Sequence, residues 1–215
     1  MVSLFQPARF LDVGVASTAL DGPDACGDLH LVRHVNGAHE AAVLVAVVDG
    51  LGHGQEAAAA ARIAIDTLDR HAGAPIPDLI RLCHAALVGS RGVVMSVAQF
   101  DVARDTMTWV GLGNVAGVLV PGDRVSRPLY TTLVTRGGIV GTALGPLPIR
   151  PWVIPIQPLD QLVLATDGVH SDFSDAISLH QGPQQTAARV LARHSKGTDD
   201  ALILIARYLG SGDQT

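Results

Sequence analysis

Charged and aromatic residues are both scarce in this chain, and each shortage narrows what it can be. Aromatic side chains make up 4% of its 215 residues and charged ones 16%, against 48% hydrophobic. An interior of this composition rests on Val, Leu, Ile and Ala rather than on rings, and it is too apolar for a disordered chain. Fifteen Lys and Arg against twenty Asp and Glu leave a formal charge of -5, with no run of like charge. That balance lacks the basic face with which proteins grip nucleic-acid phosphates, so no nucleic-acid partner is expected. The two cysteines, Cys26 and Cys83, form no C-x-x-C pattern. They provide neither a thiolate zinc site nor a disulfide framework and are expected as buried free thiols. No apolar stretch approaches the roughly 20 residues that span a bilayer, and no basic-then-apolar leader opens the chain. A soluble, cytoplasmic protein without membrane contact is the expectation.

What is present is organised as hairpins. Leu29 to Val35 and Ala41 to Val48 are apolar runs flanking Asn36-Gly37-Ala38-His39, and Asn-Gly between such runs signals a β-hairpin. Gln55 to Arg70 predicts a largely buried helix stopping near Gly73, and Pro77-Asp78 opens a second that ends near Gly89. Val93 to Phe100 and Met107 to Val120 predict strands joined across Ala103-Arg104-Asp105, with a weaker strand pair over Val125 to Val134. Gly137-Gly138 and the Pro-rich stretch from Pro146 to Pro158 predict irregular structure with one short strand. Leu162 to Thr166 predicts a strand, Gln184 to His194 a helix and Ala201 to Leu209 a closing strand. Strands clustered this way favour antiparallel sheets with helices outside over a doubly wound parallel sheet. The expectation is one α+β domain over residues 1–215.

The chemistry sits where strands end. Asp49-Gly50-Leu51-Gly52-His53-Gly54 follows the buried run Ala41 to Val48, and Asp28, Asp167 and Asp199 occupy comparable positions. A hairpin turning at 36–39 pairs residues whose numbers sum to about 75, which places Asp28 opposite Val47 and on the same face as Asp49. Asp167 and Asp199 fall at one sheet edge if their strands are antiparallel neighbours. Carboxylates gathered in this way repel one another unless protons or cations neutralise them. An oxygen-only donor set selects hard ions, Mg²⁺ or Mn²⁺, over zinc. The Gly50 carbonyl is a natural further ligand.

These residues resemble the metal-dependent (PPM, type 2C-like) serine/threonine protein phosphatases, and among them the bacterial branch typified by RsbX and SpoIIE. Gly27-Asp28, Asp49 to Gly54, Gly113-Asn114-Val115-Ala116-Gly117, Asp167-Gly168 and Asp199-Asp200 fall in family order from about residue 12 to 208. The resemblance implies a four-layer α/β/β/α sandwich of two mainly antiparallel sheets flanked by helices, with metals at one end. It implies that Asp49 bridges two Mn²⁺ or Mg²⁺ ions, that the Gly50 carbonyl and Asp28 join the shell of one, and that Asp167 and Asp199 hold the other. Asp200 is expected to be an orienting or exposed neighbour. The implied activity is hydrolysis of phosphoserine or phosphothreonine by a metal-activated water, on STAS-domain proteins of a stressosome or partner-switching pathway. A monomer is favoured, although the oligomeric state is left open.

Two departures accompany the match. Leu51 stands where eukaryotic members carry a His, and His53 lies two residues further on, so water is expected to serve in place of a general acid there. An arginine for the phosphate is not assigned, with Arg33 and Arg91 nearby. The alternative is a pseudophosphatase that keeps the sandwich as a signalling binding module. A dinucleotide loop is excluded because the third glycine of G-x-G-x-x-G falls on Gln55. His30, His34 and His39 have no matching carboxylate and are expected as surface positions. Ser171, Asp172 and His170 lack the frame of a catalytic triad.

Overall fold

The computed structural model describes residues 10–22, 25–36, 41–123, 130–142 and 147–211. Strand β3 (Ala41–Gly50) shows how the layers arise. Its odd positions Val43, Val45 and Val47 face one buried cluster, while Leu44, Ala46 and Val48 face another. A strand buried on both faces needs cover on both sides, which a sandwich of sheets and helices supplies.

One sheet contains β2 (Asp28–Asn36), β3, β4 (Val93–Asp101), β5 (Thr106–Leu112) and β8 (Trp152–Pro155), side by side in that order. The second runs β1 (Leu11–Thr18), β10 (Ala201–Tyr208), β9 (Gln161–Ala165), β6 (Ala116–Val120) and β7 (Thr131–Leu133). Every pairing between these strands is antiparallel. The central layer interleaves Val43, Val45 and Val47 with Leu162, Leu164, Leu202 and Leu204. Helices α1 (Gln55–Arg70) and α2 (Ile76–Ala86) cover the first sheet through Ala60, Ala64, Leu68, Leu79 and Cys83. Helix α3 (Pro183–His194) and the 3₁₀ turn Ser171–Ala176 cover the second through Ala187, Val190 and Phe173. The order helix, sheet, sheet, helix is the expected architecture. Cys26 and Cys83 are buried free thiols, and burial pushes them up to about 11 and about 12.

Four local expectations change. The hairpin pairs Asn36 with Ala41, so residue numbers sum to 77 rather than 75, and Gly37 to Glu40 lie outside the described residues. The run Met107 to Val120 is two strands in different sheets, because Gly113 adopts φ +89° and sends the chain across the sandwich. Helix α1 is buried on one face only, with Glu56, Arg62 and Asp66 exposed. Of the weak pair at 125–134 only β7 is described, since residues 124–129 lie outside the described set. Strand β1 was not anticipated.

Candidate metal centre

The two-residue offset in the hairpin strengthens the site. Asp28 stands directly opposite Asp49, and cross-strand neighbours hold their Cβ atoms about 5 Å apart. An even offset preserves the face, so both carboxylates continue the inward stripe of Val43, Val45 and Val47. On the facing sheet β9 and β10 are antiparallel neighbours, with Ala165 opposite Ile203. Asp167 and Asp199 lie just beyond the paired residues, at the same end of the sandwich as Asp49. A groove of about 370 Å³ opens there, lined by Asp49, Asp167 and Asp199 together with Leu51, Asn114 and Ile139.

Each carboxylate has its own support. Asp28 is 4% exposed and accepts a hydrogen bond from the Thr166 hydroxyl (2.6 Å), while Thr166 Oγ1 accepts from the Leu202 amide (2.8 Å). That contact ties one sheet to the other beneath the groove. Asn114 Nδ2 donates to Asp167 Oδ2 at 2.7 Å, and Lys196 Nζ donates to the Asp167 carbonyl. Asp200 accepts from the Leu20 and Gly27 amides (2.8 and 2.7 Å), and so holds the loop that delivers Asp28. Asp199 accepts from the Asp200 amide and lines the groove. Gly50 donates to the Gly27 carbonyl, and a Cβ there would meet the Ala57 carbonyl oxygen at 2.2 Å, so β3 ends flush against the first turn of α1. Thr166 and Asn114 are the supporting residues that sequence reasoning missed. Their only signals were adjacency to Asp167-Gly168 and the Gly113-Asn114 segment.

Electrostatics say what the cluster lacks. Burial, then the charges of Asp28, Asp167, Asp199 and Asp200, push the Asp49 carboxyl up to about 8. Burial raises Asp28 to about 7 against the opposing Thr166 hydrogen bond, with Asp200, Asp167 and Asp199 adding to the rise. Left to itself the cluster holds protons near neutral pH, which an all-oxygen donor set exchanges for hard divalent cations. No three acidic, imidazole or thiol groups among the described residues enclose a single ion. On donor chemistry and electrostatics, the residues fit the group.

The sign of the resulting pH dependence follows. A carboxyl raised in the fold binds protons that the unfolded chain has released, so its contribution is complete below the ordinary value of 3.8. It is lost as pH rises through the folded value of about 8. With chelator present, the melting temperature is expected to fall between pH 6 and 8.5, and Mn²⁺ is expected to raise it more at pH 8.5 than at pH 6. Equal Mn²⁺ shifts at both values would show that these carboxylates do not take the ion. Thermal scans in four buffers decide this.

Other candidates fall outside. His53 is exposed, with Nδ1 3.2 Å from Asp21 Oδ2, and does not line the groove, whereas Leu51 does. Arg33 faces Leu44, well up the hairpin, and pairs with Asp69 at 3.3 Å. Asp172 pairs with His194 rather than with Ser171, and His30 is exposed. No helix among the described residues is long and apolar enough to cross a membrane.

Known proteins share this fold. The family described as stage II sporulation protein E (SpoIIE) matches residues 39–209. The phosphoserine phosphatase RsbX of Bacillus subtilis (strain 168) is 26% identical over 99 residues, 46% of this chain and 48% of RsbX. The match thus spans about half the length of that curated relative. A solved chain described under the bacterial stressosome, a modular system adapted to control secondary messenger signalling, superposes with TM-score 0.79. It is 27% identical, covering 92% of this chain and 99% of its own. RsbX in complex with magnesium superposes with TM-score 0.78 at 18% identity, covering 94% of this chain and 96% of its own. The architecture is the fold of solved PP2C phosphatase domains. The chain belongs to the SpoIIE family.

Proposed function

We propose that this chain, as a single domain, is a metal-dependent phosphoprotein phosphatase acting on phosphoserine or phosphothreonine. The observation that carries the proposal is the direct pairing of Asp28 with Asp49 across one sheet, facing Asp167 and Asp199 from the other. Asp49 and Asp28, with the Gly50 carbonyl, would hold one Mn²⁺ or Mg²⁺ ion, and Asp167 and Asp199 a second. When bound, such a pair supplies Lewis-acid charge for a phosphoryl oxygen and lowers the pKa of water. Thr166 orients Asp28, and its hydroxyl bond favours the carboxylate against the burial that raises it. Asn114 fixes the Asp167 oxygen on the groove side. Leu51, Val94 and Ile139 give the groove apolar walls, which limit competing water. Among the described residues no Ser, Cys or His lines the groove, and its carboxylates would be engaged with the ions, so a covalent phosphoenzyme is not part of the scheme.

The likeness to RsbX and to the stressosome chain supports STAS-domain phosphoproteins of a partner-switching system as substrates, in a cytoplasmic setting. A second reading, a binding module without turnover, is favoured by one observation: His53 is turned to Asp21 and leaves Leu51 in the groove. The discriminating experiment compares a phosphorylated STAS-domain protein with a small phosphate ester. Faster turnover of the phosphoprotein is expected. Preference for the ester would indicate a metabolite phosphatase, and binding of the phosphoprotein without turnover would indicate the module.

A further inference from the structure

Next to the groove stands a cation that the proposed chemistry has not used. Arg91 lies on the turn between α2 and β4, two residues before Val93, the strand partner of Gly50. Its backbone is locked to the Asp49 loop: the Leu51 amide donates to the Gly92 carbonyl (3.1 Å), and Val93 and Val140 exchange amide bonds (2.9 and 2.8 Å). The side chain reaches over Gly52, a groove-lining residue with φ +83°. Guanidinium Nη1 lies 2.7 Å from the position a Cβ on Gly52 would take, so a side chain there would push the arginine aside. Nε is held by Glu56 Oε2 at 2.5 Å, and both side chains are largely exposed.

Charge balance shows why a cation is needed here. Two divalent ions and the carboxylates of Asp28, Asp49, Asp167 and Asp199 sum to about zero, which leaves little net attraction for a phosphoryl group carrying about -1.5 to -2. A planar guanidinium binds phosphate oxygens in pairs, as it binds carboxylates. Lys196 is already engaged with the Asp167 carbonyl. We propose that Arg91 is the phosphate-binding residue of this chain, and that Glu56 is an internal carboxylate occupying its guanidinium until the phosphoryl group of a substrate displaces it. The inference rests on the phosphatase reading for its substrate class. Exposure of the Arg91–Glu56 pair makes the exchange feasible, since a solvated ion pair is weak.

The two residues therefore have opposite signs in the test. Arg91→Ala should raise KM for a phosphoserine peptide, and Ki for inorganic phosphate, about tenfold or more with kcat less affected. Glu56→Gln should lower both, and Arg91→Lys should restore only part. Anisotropy of a fluorescent phosphoserine peptide, read in Mn²⁺ on the Asp49→Asn background, gives the same comparison without turnover. Unchanged KM and peptide affinity in Arg91→Ala would overturn the proposal. So would a Glu56→Gln variant that weakens binding as Arg91→Ala does, because Glu56 would then only position the arginine. If the wild-type chain binds the peptide through Arg91 and hydrolyses nothing, the phosphatase reading fails while the anion site stands. If it hydrolyses the peptide independently of Arg91, the reverse holds.

Discussion

Asp49→Asn is expected to reduce phosphate release on the order of 10³-fold or more, the scale of losing a transition-state charge interaction in a preorganised site. Asn keeps the shape of Asp but carries no charge, so the substitution separates chemistry from packing. In the wild-type fold the Asp49 carboxyl is pushed up to about 8 by burial and by its acidic neighbours. Replacing it removes that repulsion, and the chelated variant should melt no lower than wild type at pH 6 and higher at pH 8.5. Its Mn²⁺-induced shift should shrink. An active variant, or one with an undiminished Mn²⁺ shift, would displace Asp49 from the centre of the site. Activity lost together with the fold would assign it a structural role instead.

Gly50→Ala should be a strongly destabilising small substitution near the site. The added Cβ falls 2.2 Å from the Ala57 carbonyl oxygen and 2.7 Å from its carbon, both backbone atoms in the first turn of α1. Strand or helix must move, at a cost of about 3 kcal/mol. For a chain of this size that lowers the melting temperature by roughly 6–12 °C. Gly137→Ala is the matched control: Gly137 lines the same groove, but a Cβ there meets nothing within 4 Å. It should change stability by less than about 0.5 kcal/mol. Equal effects of the two alanines in thermal or urea unfolding would contradict the close seating of α1 on β3.

Antiparallel strands with helices outside, and acidic residues at strand ends, were legible from local pattern, while the two-sheet sandwich was implied by the family resemblance. The register of the β2–β3 hairpin was misplaced by two, yet Asp28 and Asp49 still shared a face, because side chains alternate with period two. A one-residue error would have separated them. In two places glycine hides a strand from local pattern. Gly113 divides what reads as one apolar run into β5 and β6. Gly14 lies on the opposite face of β1 from Leu11, Val13 and Val15 and gives that face no side chain. It is there because the first turn of α3 lies on it, with Gln184 N 2.1 Å from where a Cβ would be.

The supporting residues were not legible for a different reason. Thr166 acts on a carboxylate 138 positions away, and Asn114 on one 53 positions away. No period within a strand or helix encodes such contacts. Arg91 is similar: the sequence places it near a strand start, while its position over Gly52 follows from the β3–β4 register and the turn that precedes β4.

The most direct test of the central claim is phosphate release from a phosphoserine protein, with Mn²⁺ present and then with excess chelator, for wild type and Asp49→Asn side by side. The account predicts release by wild type that stops on chelation and returns when Mn²⁺ is restored, with Asp49→Asn inactive throughout. Release that persists under chelation, or that survives Asp49→Asn, would contradict a metal centre built on these carboxylates.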